Sequence, residues 1–161
     1  MRETTLAYIA GFLDGDGSVI FQLKPRSDYA YGFQIKITVA FYQKQSNRSI
    51  LEWLYDNLKV GAVRDRNDGI SEYDVEGFEP VQQVLEAVRP YIVLKREQVE
   101  VALQMVGEIT SQPDPSPEQF LKWCGRVESF QALNYSKNRK HTQAEVQAFL
   151  ESKGYLIPRN D

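Results

Sequence analysis

The run Leu6-Ala7-Tyr8-Ile9-Ala10-Gly11-Phe12-Leu13-Asp14-Gly15-Asp16-Gly17-Ser18 constrains this chain more than any other stretch. Leu6, Ile9, Ala10 and Leu13 recur at helical spacing and define one apolar face. Gly11 and Gly15 stand one turn apart, so on a helix their bare surfaces form a notch. A second helix can enter such a notch, backbone against backbone. The apolar pattern stops at Asp14 and Asp16. A helix C-terminus already carries partial negative charge on its unsatisfied carbonyls, so a carboxylate placed there calls for a compensating cation. A divalent ion held by Asp16 and a neighbouring backbone carbonyl would supply it. The residues point to a close helix pair with metal-binding acids at its end.

The rest of the chain alternates strand and helix patterns. From Ser18 to Lys24, Val19, Phe21 and Leu23 alternate with mostly polar residues, which predicts a strand ending at Pro25. A second strand is expected over about 33–41, with Ile35, Ile37, Val39 and Phe41 inward and Gln34, Lys36, Thr38 and Ala40 outward. Gln43 and Lys44 then lead into a helix over about 47–58 that turns Ile50, Leu51, Leu54 and Leu58 inward. Two short strands, about 62–66 and 71–76, flank Asn67-Asp68-Gly69, whose Asp-Gly pair is a strong hairpin signal. Helices follow over about 80–88 and 95–110, the latter with a stripe of Val99, Ala102, Leu103, Val106 and Ile109. The Pro-rich linker 112–117 stops it, and helices over about 117–133 and 143–152 flank a polar basic loop. The order α-β-β-α-β-β-α with trailing helices predicts an α+β fold, the helices gathered on one face of an antiparallel sheet. The linker and the two tryptophans, Trp53 and Trp123, read as structural.

At 161 residues the chain is expected to form one domain, with an αββαββα core to about 111 and C-terminal helices plus basic loop from about 117. A 42% hydrophobic, 25% charged composition fits a globular protein. The single Cys124 excludes an internal disulfide and a Cys-based zinc site, and the single His141 excludes a multi-histidine site within one chain. No apolar run approaches membrane-spanning length, so no membrane partner is expected, and the setting reads as intracellular. A net charge of −3 counts against nucleic-acid binding in bulk, but counterion release needs cations only where phosphates lie. Lys24, Arg26, Lys36, Arg64 and Arg66 fall in strand-like segments, whereas Glu97, Glu100, Glu108, Asp114, Glu118 and Glu128 fall in the later helices. A basic face and an acidic back are the expectation.

The core Ile9-Ala10-Gly11-Phe12-Leu13-Asp14-Gly15-Asp16-Gly17 resembles the signature of the LAGLIDADG homing endonucleases. Its single copy resembles the homodimeric branch typified by algal chloroplast intron enzymes, as do the runs Lys24-Pro25, Gln43-Lys44, Val63-Arg64-Asp65-Arg66, Leu94-Lys95 and Ala132-Leu133-Asn134. The resemblance implies a LAGLIDADG-type αββαββα fold with a saddle-shaped antiparallel sheet, and a chloroplast or other organelle as the compartment. It implies a homodimer whose seam includes Ile9, Gly11, Phe12 and Gly15. It further implies Mg²⁺ as cofactor, with Mn²⁺ or Ca²⁺ as substitutes for binding, held by the Asp16 carboxylate and the Gly15 carbonyl. Lys95 matches the family's active-site lysine and Gln43 a residue that positions water. The family arginine after the Gln-Lys pair falls at Asn47, with Arg48 beside it, so either Arg48 makes that catalytic contact by a small shift or the contact is absent.

Outward strand residues laid along a major groove would read base edges. The candidates are Ile20, Gln22, Lys24, Arg26, Tyr29, Gln34, Lys36, Thr38, Arg64, Arg66, Glu72 and Asp74. The basic run Lys137, Arg139, Lys140 and His141 suits phosphates, which position rather than specify. The expected activity is site-specific double-strand DNA cleavage in intron homing, on a long pseudo-palindromic target. The alternatives are an RNA-splicing maturase and a non-catalytic DNA-binding regulator on the same fold.

Overall fold

A computed structural model of the chain describes residues 1–134 and 140–158. Helix α1 (Glu3–Asp16) buries Ile9, Ala10 and Leu13. It runs straight into β1 (Gly17–Pro25), with the Gly17 N–H donating to Leu13 O. A Cβ on Gly17 would lie 2.7 Å from Leu13 Cδ1 and 3.0 Å from Ala40 O, so the abrupt helix-to-strand switch needs the bare backbone. Strand β2 (Phe33–Lys44) follows, then a 3-10 turn, Gln45–Asn47, and α2 (Arg48–Leu58). Strands β3 (Ala62–Asp65) and β4 (Ile70–Glu76) form the second hairpin. Helix α3 (Phe78–Val88), the 3-10 turn Arg89–Tyr91, α4 (Arg96–Ser111), α5 (Pro117–Gln131) and α6 (Gln143–Ser152) complete the chain. The strands make one antiparallel sheet in the order β1-β2-β4-β3. The expected α+β order with trailing helices is the observed one.

The chain divides into two compact units. The first, residues 1–20 and 37–107, has a core that includes Ile9, Leu13, Phe41, Leu51, Leu54, Tyr73 and Leu85. Phe41 and Tyr73 stack in it at 5.6 Å. The second, residues 21–36 and 108–161, joins the tip of the first hairpin to α5 and α6. Phe21 meets Phe130 edge-on at 4.9 Å, Phe33 meets Phe149 at 6.0 Å, and Tyr31 donates its hydroxyl to Pro115 O at 2.7 Å. That last bond fixes the Pro-rich linker, and Trp123 is buried as a structural residue should be.

Four local expectations are corrected. Strand β2 runs on to Lys44, where Gln43 pairs with Ser71 and Lys44 with Ile70, so Gln43 sits on a strand rather than in a loop. Thr38 and Ala40 take the outward parity but are 8% and 1% exposed. Their short side chains lie in an inner strand beside the longer Glu76 and Asp74, their register partners. Helix α3 begins at Phe78 and tolerates Pro80 in its first turn, where helical N–H groups lack intrahelical acceptors. In α4, Met105 rather than Leu103 is buried beside Val99, Ala102 and Val106.

Candidate active site and nucleic-acid interface

Helix α1 has no basic residue in its last turn, so Asp14 and Asp16 meet its negative end without help from the helix itself. Compensation for Asp14 comes from the turn before α4. Asp14 Oδ2 accepts from the backbone N–H groups of Val93 (2.8 Å) and Leu94 (3.0 Å), and Oδ1 from that of Lys95 (3.0 Å). Lys95 Nζ donates to Asp14 O at 2.6 Å, capping one of the orphaned helical carbonyls. Burial raises the Asp14 pKa, but the three N–H donors and the Lys95 ammonium outweigh it and hold the carboxyl below its ordinary value. Burial lowers the Lys95 pKa against the opposing pull of Asp14 and Asp16. Asp14 is therefore a clasp between α1 and the 93–95 turn, and it fixes the lysine.

Asp16 lies outside this clasp. Its carboxylate is exposed at the helix end, and Gln43 Nε2 donates to its Oδ2 at 2.9 Å. Gln43 Oε1 in turn accepts from Asn47 Nδ2 at 3.2 Å. Arg48 points elsewhere: its Nε donates to Asp65 Oδ1 at 3.0 Å and a terminal nitrogen pairs with Glu52. The buried Ser71 hydroxyl donates to the same Asp65 oxygen at 2.6 Å. Asp65 is held below its ordinary carboxyl pKa by the Ser71 hydrogen bond first, against the opposing effect of burial, with Arg48 adding to the lowering. The structure thus links Asp16, Gln43 and Asn47 in one chain of hydrogen bonds, holds Lys95 on Asp14, and ties Arg48 to acids.

Among the described residues no three His, Cys, Asp or Glu side chains gather to hold a metal. An exposed Asp16 carboxylate beside the Gly15 backbone is hard-oxygen chemistry suited to Mg²⁺ or Ca²⁺, but it is only part of a donor set. One side of α1 is open. A Cβ added at Gly11 or Gly15 would meet nothing within 4 Å, and Phe12 is partly exposed. Tyr8 is 51% exposed, with its ring edge-on to Trp53 at 5.4 Å, so Trp53 borders this face rather than filling the core. Val93 and Leu94, in the turn that Asp14 holds, are 78% and 64% exposed. Ile9 is the exception among the expected seam residues. It is fully buried within its own subunit, because it shares the stripe of Ala10 and Leu13.

The candidate nucleic-acid residues fall on both units. In the second unit, Arg26 bonds to Asp28 (3.0 Å) and lies over the Tyr29 ring at 5.2 Å. Lys24 is exposed, and Gln22, Gln34 and Lys36 are partly exposed. In the first unit, Ile20 is partly exposed, Arg66 pairs with Asp68, and Arg64 pairs with Glu72 (3.1 Å) and Asp74. Burial, then the neighbouring Glu72, raises the Asp74 pKa despite Arg64. The strand face is consequently mixed in charge, not uniformly basic. Lys140 is exposed; Lys137 and Arg139 lie outside the described residues.

Several of these features escape the sequence: the Asn47 link, the Asp65–Ser71 hold on Arg48, and the exposed Tyr8, Trp53, Val93 and Leu94. The Asn47 link spans only four positions but crosses from a strand into a 3-10 turn, and the Asp65–Ser71 pair reaches Arg48 from seventeen positions away; neither carries a periodic signal. The apolar pair before Lys95 is a visible signal, since two large apolar residues at a helix entrance need a cover.

Comparison with known proteins agrees with the geometry. A family model described as LAGLIDADG endonuclease matches residues 9–105. DNA endonuclease I-CreI of Chlamydomonas reinhardtii is 39% identical over 147 residues, 91% of this chain and 89% of that protein. DNA endonuclease I-CvuI of Chlorella vulgaris is 37% identical over 114 residues, 71% of each chain. The crystal structure of homing endonuclease I-CvuI in complex with its target in the presence of Ca superposes with a TM-score of 0.89, covering 96% of this chain and 97% of that one at 29% identity. Motif, fold and matched length coincide, and the chain belongs to the LAGLIDADG endonuclease family.

Proposed function

We propose that this protein is a site-specific double-strand DNA endonuclease of intron homing, acting as a homodimer on a long pseudo-palindromic target. The observation that carries the reading is Asp16, an exposed carboxylate held by Gln43 at the end of a helix whose glycine face is open. One such acid per chain is an incomplete cation site. Two chains meeting along Gly11, Phe12 and Gly15 bring two Asp16 carboxylates and two Gly15 carbonyls to one axis, with Tyr8, Val93 and Leu94 covered alongside. Mg²⁺ bound there supplies charge neutralisation on the phosphodiester and a more acidic water, with Mn²⁺ or Ca²⁺ as binding substitutes.

The remaining work belongs to side chains of this chain. Gln43 orients water at Asp16, and Lys95, fixed by the Asp14 clasp, faces the phosphate charge that develops during cleavage. Arg48 would contribute only after leaving Asp65 and Glu52. Ile20, Gln22, Gln34, Glu72 and Asp74 read base edges, whereas Lys24, Arg26, Tyr29, Lys36, Arg64, Arg66 and the 137–140 lysines and arginine engage bases or backbone. Thr38 reaches DNA only if the side chains beside it part. DNA complexes of relatives sharing this fold support the partner, and their algal sources support an organellar intron as the setting. Among the described residues no helix is long and apolar enough to cross a membrane.

The test is cleavage of a randomised-site DNA library with Mg²⁺ by wild type and Asp16→Asn. Cutting at one long, partly palindromic sequence by the wild type alone is expected. Binding without cutting, with or without metal, would refute catalysis and favour a regulator; binding of intron RNA instead would favour a maturase.

A further inference from the structure

Asp16 ends a chain of amides whose polarity it dictates. An ionised carboxylate only accepts hydrogen bonds, so Gln43 must turn its nitrogen toward Asp16. Its oxygen then faces Asn47, and Asn47 must present nitrogen. Turning either amide over would set oxygen against oxygen or nitrogen against nitrogen. The backbone carrying both residues is held. Gln43 pairs with Ser71 in the sheet, and in the turn between them Gln45 N donates to Gly69 O (3.0 Å) and Gln45 Nε2 to Arg66 O (2.8 Å).

We propose that Asn47 is a positioning residue, holding the Gln43 amide in the orientation that leaves one N–H and one oxygen lone pair aimed at water beside Asp16. The inference rests on the endonuclease reading for its consequence, but not for its geometry. A glutamine has two donor and two acceptor sites; Asp16 takes one donor and Asn47 one acceptor, so the remaining pair has a fixed direction. Without Asn47 the amide turns over whenever Asp16 is otherwise engaged, and the water loses its partner. Arg48 is no replacement, because Asp65, steadied by buried Ser71, and Glu52 already hold it.

The experiment has two arms. In the metal-free, DNA-free protein, the side-chain amide signals of Gln43 are assigned by ¹⁵N NMR through their loss in Gln43→Ala. They are expected to move in Asn47→Ala and to move further in Asn47→Asp, an isosteric change that presents an acceptor where a donor stood. In single-turnover cleavage, Asn47→Ala is expected to slow the wild type about fivefold to tenfold at unchanged DNA affinity, the scale of one neutral hydrogen bond. In a Gln43→Ala background it is expected to change nothing. Unmoved Gln43 signals in both Asn47 variants, or the same slowing with and without Gln43, would overturn the positioning role. A wild type that never cuts would overturn the endonuclease reading instead, and the amide signals would still decide the role of Asn47.

Discussion

The clasp at Asp14 makes a quantitative prediction. Asp14→Asn keeps the size of the side chain but has one accepting oxygen where two serve three backbone N–H groups. Turned one way, the amide oxygen keeps Val93 and Leu94 and sets its NH₂ against the Lys95 N–H; turned the other way, it loses both of the first two. The better choice still loses one charge-assisted bond, about 1.5–3 kcal/mol, and the charge assistance of the others. Burial of the native carboxylate works against its own ionised form, and the amide escapes that opposition. The net destabilisation is expected to be about 2 kcal/mol near neutral pH.

Urea unfolding of wild type and variant at one fixed protomer concentration measures it, since a dimer's apparent stability depends on concentration. The pH dependence follows from the direction of the shift. Asp14 is depressed below 3.8 in the folded state, so its contribution is full above that value and is lost as pH falls through the lower folded pKa. The gap between wild type and Asp14→Asn should therefore be constant from neutrality down to about pH 5 and close in more acid solution. A gap below about 0.5 kcal/mol, or one that does not change with acid, would refute the clasp. Cleavage should also slow in the variant, because Lys95 loses its main-chain anchor.

Three further outcomes are expected. Gly11→Leu should leave each subunit folded, since a Cβ there meets nothing within 4 Å. It should weaken the dimer about 10- to 100-fold in sedimentation equilibrium, and an unchanged dissociation constant would remove α1 from the seam. Gly61→Ala should cost at least about 2 kcal/mol in thermal unfolding, because Gly61 has φ +84° and its Cβ would press on Asp74 O; a neutral result would contradict that turn. Cys124 is buried and its thiol is pushed up to about 12, by burial first and Glu128 next, so a thiol reagent at pH 8 should react only as fast as the protein opens. Reaction within seconds in the native protein would place the side chain elsewhere.

The element order was legible because each segment carries its own period, and because Asp-Gly and the prolines punctuate the chain. The acidic end of α1 stood out in the sequence for a related reason: two acids at the negative end of an apolar helix need an explanation that physics restricts to cations or donors. Which answer applies to which acid was not legible. The clasp on Asp14 comes from Val93, Leu94 and Lys95, about eighty positions away, and no local rule reaches that far. Period-two reasoning stopped β2 at Phe41, because Tyr42-Gln43-Lys44 carries no further apolar alternation; pairing with β4 extends it. The same rule turned Thr38 outward correctly by parity but could not see the longer neighbours beside it. Arg48 looked available in sequence, yet Asp65 and Glu52 hold it. The grouping of the first hairpin tip with α5 and α6 depends on Phe21, Phe33 and Tyr31 finding partners that sequence order does not name.

The arginines of the strand face have partners before any DNA arrives. Arg26 holds Asp28, Arg66 holds Asp68, and Arg64 holds both Glu72 and Asp74. If these side chains engage DNA as proposed, each base or phosphate contact would be an exchange of one anion or acceptor for another. A guanine offering two well-placed acceptors competes with a carboxylate; a base offering a donor in the same place does not, and the arginine stays with its acid. The resident carboxylate would then act as an internal competitor that sets the threshold a sequence must exceed. It would lower affinity for DNA at large more than affinity for the right site, so an acidic protein with mixed charge on its strands would discriminate better than a more basic one.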